Sequence, residues 1–289
     1  MKYWLSLALS PVEDHLALAR QAEQVGFEGL TLPDHVVLPD VVRSYYPGSP
    51  TGAFTVLPEA PFPSCWVAFA AMGAVTSSLR FATTVSVLAL RDPLVLARDV
   101  ATAACYAPGR VVLGAGVGWM REEFDALGRP FDHRGARTDE IIEICRSVWH
   151  HGAIEHRGTY YTIPKVHVRP RPPADVPIWI GGGSDAALHR AARLGDGFIS
   201  EGHFDQAEAL IGKLQAIRAE TGTASRSFEL IISTVGRAGG EWPSRDDVDQ
   251  MAGLGVDGIK VKPWSGADDT GLSIDAKRSV LSRFASTYF

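Results

Sequence analysis

Short apolar runs alternate with helix-period segments along almost the whole of this 289-residue chain. Residues 4–9, 27–32, 80–88, 110–115, 177–181, 198–201, 228–235 and 258–261 read as strands. Segments 11–25, 64–77, 92–106, 119–127, 134–149, 185–194, 207–220, 244–254 and 273–284 read as helices. In 11–25, for example, apolar residues recur at Leu16, Ala19 and Ala22 before Gly26 stops the pattern. Asp92-Pro93 supplies an N-cap residue followed by a first-turn proline. A helix between successive strands returns the chain to the same edge, so the strands must pair in parallel. About eight strand–helix pairs in roughly 290 residues is the size and rhythm of a (β/α)8 barrel of the α/β class. The alternative is an open doubly wound sheet. It fits less well, because the first strand-to-helix turn, Leu9-Ser10-Pro11, lacks a glycine fingerprint and the glycine-rich turn falls at the fifth strand.

No composition break divides the chain, so residues 1–289 read as a single domain. Hydrophobic residues make up 46% and charged residues 21%, as in soluble globular proteins. The formal net charge of −5, without any Lys/Arg-rich run, argues against a nucleic-acid partner. No apolar stretch approaches the ~20 residues that span a bilayer. The segment MKYWLSLALSPVED reads as a first strand and not as a signal peptide. Cys65, Cys105 and Cys145 are too few and too scattered for a disulfide framework or a zinc site, and each is expected to be buried in a helix. A cytoplasmic location follows from that usage.

In a barrel of this kind the active site lies at the C-terminal ends of the strands. The strongest candidate there is PIWIGGGSDAALHRAARLGDGFIS, residues 177–200. Gly181, Gly182, Gly183 and Ser184 follow an apolar strand and open a helix. Such a turn exposes backbone N–H groups next to the positive end of a helix dipole, which is the makeup of a phosphate cradle. After the second strand come Pro33, Asp34 and His35, and histidine can donate a hydrogen bond or carry a proton. The segment 33–63 that follows is long, aperiodic and rich in Pro, Gly and aromatics, as functional loops are. Thr83, Thr84 and Val85 interrupt the third strand, where β-branched filler accounts for the threonines. After the fourth strand come Gly116, Val117, Gly118 and Trp119, whose glycines suit close approach of a flat ring or a phosphate. Glu122 and Glu123 read as solvated acids in a helix's first turn. Glu201, His203, Lys260, Lys262 and Trp264 complete the predicted rim. His150, His151 and His156 lack zinc-site spacing and read as a polar helix end, so no metal is expected. Arg169 and Arg171 flank Pro170 as a small basic patch, and no Gly-x-Ser-x-Gly elbow occurs at a strand end.

In their order and spacing, TLPDHVVLPD, SYYPGSPTG, FATTVSVLALRDPLVLARDVATAACYAPGRVVLGAGVGWMREEFDALG and PIWIGGGSDAALHRAARLGDGF resemble the bacterial luciferase-like superfamily. Within it they are similar to the oxidoreductases that depend on the deazaflavin coenzyme F-420. The resemblance implies a (β/α)8 barrel of the luciferase-like type, with an insertion near strands four and five that matches residues 156–168. It implies that His35, with Asp34, lies beside the deazaflavin ring. It places a non-proline cis peptide within Thr83-Thr84-Val85, the coenzyme phosphate at Gly182-Gly183-Ser184, and the Gly116–Trp119 loop along the coenzyme. The sugar-phosphate dehydrogenases of this family carry a catalytic Glu in the strand-four loop. Val117 stands at that place here, which argues against that activity. Glycine, often present in the family's strand-three motif, is replaced by Thr84.

The expected function is hydride transfer between F-420 and an unidentified small organic substrate. His35 is the catalytic residue, and Tyr45, Tyr46, Phe54 and Trp66 are expected to wall an apolar pocket. The alternatives are an FMN-dependent luciferase-like monooxygenase, since FMN shares the phosphate, and a non-catalytic flavin-binding protein. The resemblance also allows a homodimer.

Overall fold

The computed structural model describes residues 1–49, 51–200, 206–234, 242–264 and 271–289. Its strands are β1 (Lys2–Ser6), β2 (Gly29–Asp34), β3 (Arg80–Val87), β4 (Val111–Gly116), β5 (Ala153–Arg157), β6 (Thr162–His167), β7 (Ile178–Gly181), β8 (Gly197–Ile199), β9 (Glu229–Ser233) and β10 (Gly258–Val261). Its helices are α1 (His15–Val25), α2 (Cys65–Gly73), α3 (Pro93–Tyr106), α4 (Arg121–Ala126), α5 (Arg134–His151), α6 (Asp185–Leu194), α7 (Ala207–Glu220), α8 (Arg245–Gly253) and α9 (Ile274–Tyr288). Eight strands close a barrel in the order β1-β10-β9-β8-β7-β4-β3-β2, with every neighbouring pair parallel. Helices surround it, so the (β/α)8 expectation is met. The insertion is also present. β5 and β6 form an antiparallel hairpin between α5 and β7, spanning more of the chain than the expected 156–168.

The helix starts follow local chemistry. Asp92 accepts the Leu94 and Val95 N–H groups at 2.9 and 3.0 Å ahead of Pro93. Ser184, Ser244 and Ser273 cap α6, α8 and α9. Several boundaries differ from the sequence reading, two of them with consequences for the core and the rim. The chain leaves β1 at Ser6, and a 3-10 turn at Val12–Asp14 precedes α1, so Leu16 is exposed and Leu18 takes the buried position. Trp119 lies in the loop before α4, not inside a helix. Glu201, His203 and Val235 fall outside the described residues.

Inward-facing side chains fill the barrel. At its N-terminal end Trp4 and Trp179 meet edge to face at 4.9 Å. Arg80 lies over both indoles and forks onto Glu229 at 2.7 and 2.8 Å. Ala82, Val112, Ile199 and Ile231 pack above them, with Val85 next to the mouth. Outside the barrel, α1 and α9 are pinned by a fully buried Lys277 that donates to Asp14 at 2.6 Å. On α5, Glu140 accepts from the Tyr160 and Tyr161 backbones and pairs with His156, which ties the hairpin down. His150 and His151 occupy the last turn of α5. Cys65 and Cys145 are buried as expected, but Cys105 is exposed on α3.

Candidate active site at the barrel mouth

β2, β3, β4 and β7 are consecutive neighbours in the barrel. The four segments singled out in the sequence therefore end along one continuous arc of the rim. At the centre of the arc is Val85. The Thr84–Val85 peptide is cis, and the β3–β4 register shifts between Ala82 and Ser86. Val85 faces into the barrel, where a methyl at Gly116 would lie 2.3 Å from its Cγ2 and one at Gly181 would lie 2.4 Å from its Cγ1. A methyl at Gly114 would meet the Thr83 carbonyl oxygen at 1.8 Å. The glycines that end β4 and β7 are therefore needed because β3 presses on them. The close approach that the sequence assigned to a ring or phosphate at Gly116 is made, on this side, by the protein's own Val85.

The Thr83 hydroxyl donates to the Gly114 carbonyl at 2.8 Å and is fully buried, so it is spent inside the wall. The Thr84 hydroxyl, by contrast, makes no hydrogen bond among the described residues. Asp34 does not reach His35. It is buried, accepting from Ser86 Oγ at 2.5 Å and from Arg91 at 2.5 and 2.6 Å. It thereby holds the end of β2 to β3 and to the turn after it.

The partner of His35 is Glu123, and here the sequence reading needs correction. Glu123 is 1% exposed; its Oε2 lies 2.9 Å from His35 Nδ1, and its Oε1 accepts the Val36 N–H at 2.7 Å. Glu122 is not a free solvated acid either. It accepts from the Arg43 and Ser44 N–H groups at 2.8 and 3.1 Å and from Ser44 Oγ at 2.7 Å. Burial works against its charge, but the Ser44 hydroxyl and these amides outweigh it and hold the carboxyl below its usual range. Together the two acids fasten the 33–63 loop to the start of α4. Nothing in the sequence sets these two acids apart from ordinary first-turn acids, because their partners lie 78 to 88 residues away.

The fastened loop brings aromatics onto His35. Phe62 and Phe54 lie 5.1 and 5.8 Å from its ring centroid, and Trp119 lies at 6.2 Å. Tyr46 packs on Trp119 at 4.9 Å and on Phe54 at 5.3 Å. Of the residues expected to wall the pocket, Tyr46 and Phe54 are therefore in place. Tyr45 is 66% exposed, and Trp66 is buried against Phe69. Phe62 and Glu123 were missed.

At β7 the turn keeps the geometry the sequence promised. Gly182 adopts φ +117°, a left-handed value that suits glycine. A methyl at Gly183 would touch nothing within 4 Å, so the space in front of it is open. The amides of Gly183 and Asp185 have no acceptor among the described residues, and Ser184 caps α6 through the Ala187 N–H at 3.3 Å. Asp185, the one acid in that first turn, is drawn to Lys213 at 3.4 Å. Open space, spare donors and a helix start are the requirements of a phosphoryl group. Arg171, in contrast, is tied to the Trp149 carbonyl at 3.2 Å.

The chain matches the luciferase-like monooxygenase family over residues 4–236 and belongs to that family of enzymes. Among its relatives is protein Rv0940c of Mycobacterium tuberculosis, 33% identical over 269 residues, covering 93% of this chain and 88% of the relative. The F420-dependent glucose-6-phosphate dehydrogenase of Nocardia farcinica is 32% identical over 187 residues, covering 63% of this chain and 51% of that enzyme. Thus the match spans about half the length of that dehydrogenase. The crystal structure of monooxygenase RslO1 from Streptomyces bottropensis shares the fold across 100% of this chain and 98% of its own, with TM-score 0.77 and 20% identity. No described helix is long and apolar enough to cross a membrane.

Proposed function

We propose that this protein is an oxidoreductase dependent on coenzyme F-420, the deazaflavin, acting on a small organic substrate with an apolar face. The observation that carries the proposal is the rim arc itself. A turn with open space at Gly183 and spare amides at Gly183 and Asp185 shares a rim with an aromatic-walled histidine. Val85, in contact with β4 and β7, forms the floor between them.

In this reading Gly182, Gly183 and Ser184 hold the coenzyme phosphate. Thr84, Val85, Gly116, Val117, Gly118 and Trp119 would hold the ring. When bound, the coenzyme supplies or accepts the hydride. The protein positions the reactants and excludes water. Tyr46, Phe54, Phe62 and Trp119 offer the substrate an apolar wall, and His35 is the group able to exchange a proton there. Deazaflavin is preferred because curated relatives carrying that name match at about one-third identity, as the Nocardia enzyme does. The second reading, an FMN-dependent monooxygenase, is favoured by the family's description and by the RslO1 likeness. A phosphate cradle serves both.

Fluorescence titration of the purified protein with each coenzyme separates them. The proposal expects tight deazaflavin binding and weaker FMN binding. Tight FMN binding without deazaflavin binding would replace the first reading by the second.

A further inference from the structure

We infer that Glu123 is a positioning residue that dictates which nitrogen of His35 carries the proton, so that His35 presents a bare lone pair at Nε2 to a hydroxyl-bearing ligand at the barrel mouth. That the ligand is a substrate rests on the function proposed above; the state of the imidazole does not.

An ionised carboxylate can only accept hydrogen bonds. With Glu123 Oε2 at 2.9 Å from Nδ1, the proton of the neutral ring must sit on Nδ1. Nε2 is then an acceptor. It makes no hydrogen bond among the described residues, and the His35 side chain retains 13% exposure. The carboxylate cannot swing aside, because its second oxygen holds the Val36 N–H at 2.7 Å. Phe62, standing edge to face at 5.1 Å and 88°, and Phe54 at 5.8 Å confine the ring further.

A purely structural tie would not need this arrangement, as the neighbouring acid shows. Glu122 spends both oxygens on the loop, at Arg43 and Ser44, and none on a ring. Glu123 commits one oxygen to the loop and the other to the imidazole. The ring so held cannot donate from Nε2 while neutral, so its complement is a donor. A substrate hydroxyl meets this requirement; if its proton transfers, the O–H bond breaks, an Nε2–H bond forms and the electron pair stays on the oxygen.

The test is Glu123→Gln, a change that conserves shape. Its carbonyl oxygen keeps the Val36 N–H, which turns the amide nitrogen toward Nδ1. Nδ1 must then accept, and the proton moves to Nε2. Nitrogen–proton correlation spectra of histidine-labelled protein without coenzyme, at a pH where the ring is neutral, read the tautomer directly, with His35→Ala assigning the signal. Expected are Nδ1–H in the wild type, Nε2–H in E123Q, and no change in E122Q. In turnover, E123Q should lower kcat by about 10²-fold with unchanged coenzyme affinity, and the H35A/E123Q double variant should be no slower than H35A. Nε2–H in the wild type, or an unaltered tautomer in E123Q, would overturn the inference. If the protein binds FMN and no deazaflavin while the tautomers behave as expected, the coenzyme assignment fails and this inference stands.

Discussion

Replacing Gly116 by Ala tests whether β3 really presses on the end of β4. The added methyl would lie 2.3 Å from Val85 Cγ2 and 3.3 Å from Val85 Cβ. Overpacking of this kind costs about 1–3 kcal/mol. At about 2–4 °C per kcal/mol for a chain of this size, Tm should fall by roughly 2–12 °C. Val85→Ala alone removes two methyls next to the inner layer and costs about 1–2 kcal/mol. In the double variant the clashing Cγ2 is gone, so the two costs should not add. A thermodynamic cycle by denaturant unfolding should return a favourable coupling of about 1–3 kcal/mol. Gly114→Ala is the control: its methyl would meet the Thr83 carbonyl oxygen at 1.8 Å, and trimming Val85 cannot relieve a clash with backbone. If G116A is as stable as the wild type, or if V85A and G116A simply add, Val85 does not fill the space between β4 and β7 and the account of the floor is wrong.

Two predictions concern acid stability. Glu23 accepts from the Ser77, Ser78 and Leu79 N–H groups; burial opposes its charge, but these bonds win and lower its carboxyl to about 2. A depressed carboxyl stabilises the fold above its unfolded value near 4.5. That contribution is lost as pH falls toward about 2, so Glu23→Gln should be less stable at neutral pH and flatter across this window in acid-unfolding curves. A Glu23→Gln curve parallel to the wild type's would refute it. His15 is buried, and that burial, reinforced by Lys277, lowers its basicity although the Ser10 carbonyl raises it. The unfolded chain then binds the extra proton, so stability should fall as pH drops below about 6.5. His15→Gln should remove that slope, as thermal melts across the range would show; an unchanged slope would assign it elsewhere.

Much of the architecture was legible because eight apolar runs, each followed by a helix pattern, admit few parallel arrangements. The open glycine turn after β7 was legible too, since its chemistry is local: three glycines, a capping serine and a helix. What stayed hidden was long-range. Glu123 lies 88 residues from His35 and reads as an ordinary first-turn acid until the loop folds onto it. Asp34, adjacent to His35 in sequence, turns instead to Ser86 and Arg91, contacts that only the β2–β3 pairing creates. The glycines of β4 announced a close approach, but their sequence could not say that the partner was Val85. Phe62 was hidden in an aperiodic loop whose path depends on the two glutamates.

The proposed function requires the turn after β7 to grip a phosphoryl group. Gly183→Asp probes it with little effect on the fold, because a side chain there enters open space and Gly183 has no left-handed φ to lose. G183D should leave Tm unchanged and weaken deazaflavin affinity at least about tenfold, that is by about 1.4 kcal/mol or more, through the negative charge brought to the turn. A G183D protein that binds the deazaflavin as tightly as the wild type would contradict it.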